Sequence, residues 1–124
     1  MILVDSNVWI DYFRDKNKAK ALTGLLESNQ VACHPWVIAE LCLGDLGEKR
    51  KQVISYLSSL NSLQEYSISE LIPFTLQERL FSTGLSLVDL QILYSCIKQN
   101  VKIWTKDKAL KKISMQYKIS FLEI

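Results

Sequence analysis

The chain has 124 residues, 48% of them hydrophobic and 23% charged, the size and balance of one soluble globular domain spanning residues 1–124 with no room for a second core. A formal net charge of +2 excludes a polycation, and no apolar run approaches the roughly 18 residues of a membrane span. Three cysteines (Cys33, Cys42 and Cys96) at unpaired spacing argue against a disulfide framework and for a reducing, cytoplasmic compartment, and the N-terminus lacks the basic segment that opens a signal peptide.

Ile2 to Val4 is a short apolar run that stops at Asp5-Ser6-Asn7, all helix N-cap types. Val8, Trp9, Ile10, Tyr12 and Phe13 follow with an apolar face at helical spacing, so the opening reads strand, tight turn, helix. A second helix is predicted over about Lys18 to Glu27, with Ala19, Leu22, Leu25 and Leu26 on one side. Val31-Ala32-Cys33 reads as a buried strand. Pro35 suits the first turn of a helix that turns Val37, Ile38, Leu41 and Cys42 inward and ends near Gly44 or Gly47. Glu48 to Leu60 is helical again, with Val53, Ile54, Leu57 and Leu60 as its face. Glu65 to Ile68 is predicted as a short strand, and Ser69 as the start of a helix with Pro73 in its first turn and Gly84 as its breaker. Ser86 caps a helix from Leu87 to about Lys98, Val101 to Trp104 is a strand, Lys106 to Ile113 a short helix, and Ile119 to Leu122 a last strand.

Strands alternating with helices predict an α/β fold, a three-layer α/β/α sandwich around a central parallel sheet. In open parallel sheets, sites form beyond the carboxyl ends of the strands. Asp5 and Asp107 follow strands directly, whereas Glu40 and Asp89 lie in or near the first turns of helices that can face the same edge. Two like charges about 4 Å apart repel by about 4 kcal/mol at an effective dielectric of 20, so such a cluster must take up protons, stay apart or bind a cation. Oxygen ligands without histidine or thiolate select Mg²⁺ or Mn²⁺, the ions that serve phosphodiester hydrolysis. Each acid also has a purely structural reading. Asp5 and Asp107 are placed to cap helices, and Asp89 to close a capping box on Ser86. Glu40, between Ala39 and Leu41, is the hardest to explain that way.

The single histidine, His34, lies between Cys33 and Pro35 without C-x-x-C spacing, which argues against structural zinc and against a serine or cysteine triad. Two basic stretches flank the acids: Arg14, Lys16, Lys18 and Lys20, then Lys98, Lys102, Lys106, Lys108, Lys111 and Lys112. Singly these are surface charges. As a set they suit a polyanion, and Lys106, Lys108, Lys111 and Lys112 are the candidate contacts to it.

The segments Ile2-Leu-Val-Asp-Ser-Asn-Val-Trp-Ile, Val37-Ile-Ala-Glu-Leu-Cys-Leu-Gly, Leu87-Val-Asp-Leu-Gln-Ile and Trp104-Thr-Lys-Asp, in that order and at these separations, resemble the PIN domain. More narrowly they resemble the VapC-type ribonuclease toxins of type II toxin–antitoxin pairs. The resemblance implies a metal-dependent endoribonuclease with Asp5, Glu40, Asp89 and Asp107 around one or two Mg²⁺ or Mn²⁺ ions. Asp5 and Asp89 would be direct ligands, Glu40 would act through water, and Asp107 would complete the site. Ser6, Asn7 and Thr105 match the polar companions that orient carboxylates. An RNA substrate, an antitoxin that covers the active site and a homodimer are implied as partners. The chain departs from the pattern at Ala109 and Leu110, where relatives often carry an acid and an aromatic residue, and at Leu93 and Tyr94, where small residues are common. A haloacid-dehalogenase-type phosphatase would need an acid at Asn7, and a receiver domain would need paired acids at the first strand. The serious alternative is a PIN-like module that binds RNA or protein without cutting.

Overall fold

The structure is a computed structural model that describes residues 1–123; Ile124, the last residue of the predicted domain, lies outside the described residues. Four strands form a wholly parallel sheet: β1 (Ile2–Val4), β2 (Val31–Cys33), β3 (Asn61–Ser62) and β4 (Lys102–Trp104), in the order β3-β2-β1-β4. Every residue of β1 and β2 is buried, as expected of parallel strands covered on both faces. Seven α-helices supply the covering layers: α1 (Ser6–Arg14), α2 (Ala21–Glu27), α3 (Pro35–Leu43), α4 (Arg50–Ser58), α5 (Ile68–Gln77), α6 (Leu87–Gln99) and α7 (Lys108–Gln116). The architecture is the three-layer α/β/α sandwich. No helix among the described residues is long and apolar enough to cross a membrane.

Strand order positions the site. From β1 the chain moves outward through β2 and β3, then crosses back to place β4 on the other side of β1, with Val4 in register with Trp104. The connections therefore diverge between β1 and β4, and a crevice opens beyond their carboxyl ends. Beneath it, the core joins all three residues of β1 to Val8 and Trp9 of α1, Val37 of α3 and Ile92, Leu93 and Cys96 of α6. Trp9 is fully buried and stacks on Phe13 at 5.5 Å between ring centroids, with Tyr12 edge-on at 6.2 Å.

Several elements differ from the sequence-based expectation. The segment read as one helix from Lys18 is a 3₁₀ turn over Lys16–Ala19 followed by α2. Helix α3 buries Val37 and Leu41 but leaves Cys42 exposed. The strand expected at Glu65–Ile68 is absent, and β3 forms earlier at Asn61–Ser62. Side chains instead of a strand satisfy the later backbone: Gln91 bonds both the N–H and the carbonyl of Tyr66, and Gln99 does the same for Gln64. Pro73 sits in the second turn of α5, on its exposed side, where the carbonyl it deprives of a partner can meet water. That helix ends at Gln77 because Arg79 takes the left-handed conformation (φ +55°), well before Gly84. The last predicted strand is reduced to a single parallel bridge between Ser120 and Ile103, with the Ile103 and Phe121 N–H groups bonded across it at 2.7 and 2.8 Å.

Candidate active site

Asp5 and Thr105 are the residues next after β1 and β4, so the parallel register sets them side by side at the crevice. The Asp5 N–H donates to the Trp104 carbonyl at 2.9 Å, continuing the strand pairing by one residue. Asp5 is also the N-cap of α1, its Oδ1 accepting from the Ser6 N–H at 2.7 Å. Its Oδ2 accepts from the Thr105 hydroxyl at 2.7 Å and from the Asn7 amide at 3.4 Å. Asn7 bonds back to the β4 loop through the Lys106 N–H at 3.1 Å, and the Thr105 Oγ1 accepts the Asp107 N–H at 3.1 Å. The Asn7 and Thr105 side chains thus lace the two loops together around a carboxylate that is only 3% exposed.

The other acids arrive from three helices. Glu40 lies in the second turn of α3, near the helix start as expected, and is exposed; its Oε1 accepts from the Ser6 hydroxyl at 3.2 Å. Asp89 closes a capping box at the start of α6, its Oδ2 accepting the Ser86 N–H at 3.0 Å while the Ser86 hydroxyl accepts the Asp89 N–H at 3.1 Å. Asp107 caps α7, its Oδ2 accepting the Leu110 N–H at 2.9 Å. The capping roles are therefore present, and each uses one oxygen of the carboxylate. Their electrostatics link the four acids. Burial raises the Asp5 carboxyl above the usual range against the Thr105 and Ser6 hydrogen bonds, and Asp89 and Asp107 raise it further. Burial likewise raises Glu40, helped by Asp5 and Asp89, and raises Asp89, helped by Asp107.

No three acidic, histidine or cysteine side chains among the described residues stand close enough to form a ready-made metal cage. Asp89 and Asp107 each turn one carboxylate oxygen to a capping N–H. The donor set still fits a hard divalent cation. It is all oxygen, it faces one crevice, and Mg²⁺ uses only one or two carboxylates while keeping several of its waters.

The candidate lysines divide. The Lys106 ammonium pairs with Asp11 and donates to the Lys18 carbonyl at 3.1 Å, tying the β4 loop to α1 and the turn after it. Lys108, Lys111 and Lys112 are exposed along α7 and line a shallow hollow with Met115. Sequence reasoning assigned no positioning role to His34, Gln91 or Ser95. His34 caps α3 through Nδ1, which accepts the Trp36 N–H at 3.0 Å, and its Nε2 meets the Ser95 hydroxyl at 2.9 Å. Ser95 in turn donates to Gln91 at 3.2 Å. This buried chain joins the helix carrying Glu40 to the helix carrying Asp89, and burial holds the His34 imidazole neutral by lowering its pKa to about 4. Its sequence signal was polar Gln91, Ser95 and Gln99 at four-residue spacing on one face of α6.

Comparison with known proteins places these features in company. The PIN domain family model matches residues 2–115. Over 124 residues, 99% of this chain and 98% of the relative, the chain is 33% identical to Ribonuclease VapC32 of Mycobacterium tuberculosis. In fold it is similar to the crystal structure of PAE2754 from Pyrobaculum aerophilum (TM-score 0.68, 17% identity, 97% of this chain and 87% of that one). It is also similar to a chain of a toxin–antitoxin complex from Klebsiella pneumoniae (TM-score 0.65, 21% identity, 86% of this chain and 87% of that one).

Proposed function

The chain belongs to the PIN domain family, and from that premise we propose that it is an endoribonuclease dependent on Mg²⁺ or Mn²⁺ and the toxin of a toxin–antitoxin pair. The observation that carries the chemistry is the crevice between β1 and β4, where Asp5 is buried without a basic partner and is electrostatically coupled to Asp89, Asp107 and, through it, Glu40. In this reading Asp5 and Asp89 hold the cation, and Asp107 offers the oxygen that its cap leaves free. Thr105 and Asn7 keep the Asp5 carboxylate pointed into the crevice. Glu40, held by Ser6 through one oxygen, orients the attacking water and takes its proton at the other. A divalent cation, when bound, supplies a more acidic water and charge to stabilise the departing oxygen.

Cleavage of a labelled RNA is the test. The wild type should cut in Mg²⁺ or Mn²⁺ and stop in excess EDTA. Asp5→Asn should keep the fold, since asparagine caps α1 as well as aspartate does, and lose cleavage. Cutting that persists in EDTA or in Asp5→Asn would overturn the proposal, and RNA binding without any cutting would favour the non-catalytic module.

Two protein partners complete the reading. Ribonuclease VapC32 and the toxin–antitoxin complex are the basis for proposing a cognate antitoxin. A homodimer is supported by an apolar outer face: Ile68, Ile72 and Leu76 recur at four-residue spacing on α5, each more than half exposed, and Leu43 at the end of α3 is 89% exposed. Exposed apolar stripes such as the one along α5 can mark an interface.

A further inference from the structure

Between the loop that follows α5 and one side of α7 lies a cleft of about 300 Å³, lined by Glu78, Arg79, Ser82 and Thr83 from the loop and by Lys112 and Gln116 from the helix. We propose that this cleft is a phosphate subsite for single-stranded RNA beside the scissile bond, with Arg79 and Lys112 as its two cations; the proposal rests on the RNA-cutting reading of the neighbouring crevice. Two observations carry it, and a third makes it testable.

Both cations are uncommitted. The one ion pair among the described residues is Lys106 with Asp11, so among these residues neither Arg79 nor Lys112 has a carboxylate within 4.0 Å. The single acid lining the cleft, Glu78, accepts the Tyr117 hydroxyl at 2.6 Å. The Thr83 hydroxyl is spent on the Leu80 carbonyl at 2.6 Å, but the Ser82 hydroxyl beside the two cations adds a further donor for phosphate oxygens.

Arg79 also occupies a backbone position that glycine would fill at lower cost. It is the left-handed residue that ends α5 (φ +55°), and the next N–H, of Leu80, closes the helix on the Thr75 carbonyl at 3.0 Å. A β-carbon is unfavourable in that conformation and glycine is the usual occupant. Arg79→Gly is therefore a substitution that the backbone itself favours, so a loss of RNA binding in it would report the side chain and not the fold.

Both walls of the cleft run on into the elements that carry Asp89 and Asp107. Its loop crosses α7 at Gly84 (φ +85°), where an added Cβ would lie 3.5 Å from the Ala109 Cβ, and two residues later Ser86 caps the helix that carries Asp89. On the other wall, Lys112 follows Asp107 by five residues. That is about 7.5 Å along the helix axis and about 140° around it. A strand with one phosphate at the crevice would bring another, a few nucleotides along, to this cleft.

The test measures binding and stability together. Fluorescence anisotropy of a fluorescein-labelled single-stranded RNA of about twelve nucleotides, in EDTA so that nothing is cut, is read at several salt concentrations beside urea denaturation. Arg79→Gly should raise the urea midpoint while weakening RNA binding about tenfold. Lys112→Ala should weaken it similarly, and each should reduce the salt slope by about 0.7, the share of one single-strand phosphate contact. Lys118→Gly, at the left-handed residue (φ +60°) after α7, should raise the midpoint and leave RNA binding alone. Unchanged affinity and slope in both Arg79→Gly and Lys112→Ala would overturn the subsite whether or not the wild type cuts RNA, as would a wild type that binds no single-stranded RNA. A wild type that binds as expected yet never cuts in Mn²⁺ would instead sink the nuclease reading and leave the subsite standing.

Discussion

Thr105 shows how one hydroxyl serves two loops. It donates to Asp5 at 2.7 Å and accepts the Asp107 N–H at 3.1 Å, so it orients one candidate ligand and positions the backbone of another. Thr105→Val keeps the shape and removes both bonds. Outer hydrogen bonds of this kind are worth about 10- to 100-fold in metal affinity, so Mn²⁺ titrated calorimetrically into Thr105→Val should bind weaker by that factor, with Thr105→Ser close to wild type. An affinity within about twofold of wild type would show that Asn7 and Ser6 suffice. At this scale the sequence was informative about identity and weak on geometry. Val-Asp-Ser-Asn and Trp-Thr-Lys-Asp are short enough to read directly, but nothing in them says that Lys106 is spent on Asp11. A long lysine side chain finds its partner only when distant elements are set in place.

Among the elements, α6 is the one whose polar face organises its neighbours. Gln91 and Gln99 hold the backbone of residues 64–66, and Ser95 reaches His34 at the start of α3. This is why the expected strand at Glu65–Ile68 gave way: its hydrogen bonds go to glutamine side chains, which no β-propensity scale anticipates. The network also predicts a pH dependence. Burial lowers the His34 pKa to about 4 in the fold, against about 6.5 in the unfolded chain. Between those values the unfolded state binds the extra proton, so stability that is intact above about pH 6.5 falls as pH drops towards 4, by about 3 kcal/mol in all. The raised carboxyls of Asp5, Glu40 and Asp89 act in the opposite direction, gaining stability on acidification. Comparison with His34→Asn, which can still cap α3, removes their contribution. Urea unfolding at pH 7 and pH 4.5 should show a larger loss in wild type than in His34→Asn, and equal losses would mean that His34 titrates normally in the fold.

For the whole molecule, the outer faces of α5 and α3 are the feature that a lone chain leaves unexplained. If Ile68, Ile72, Leu76 and Leu43 meet a second copy, Ile72→Glu should place an unpaired charge in that interface and shift the sedimenting species from dimer to monomer without loss of helical signal. A wild type that sediments as a monomer at tens of micromolar would refute the homodimer. The same scale separates what was legible in the residues from what was not. Hydrophobic periodicity, capping residues and turn formers are local, and they determined the alternation of strands and helices and the parallel sandwich, and singled out four acids as candidates. The order β3-β2-β1-β4, the crevice beside β1, the capping oxygens withheld from the site, the His34 chain and the cleft at Arg79 were decided only by the tertiary structure. Each depends on contacts between residues far apart in the chain, such as Asp5 with Thr105 or His34 with Ser95, and such contacts leave no periodic trace in the sequence.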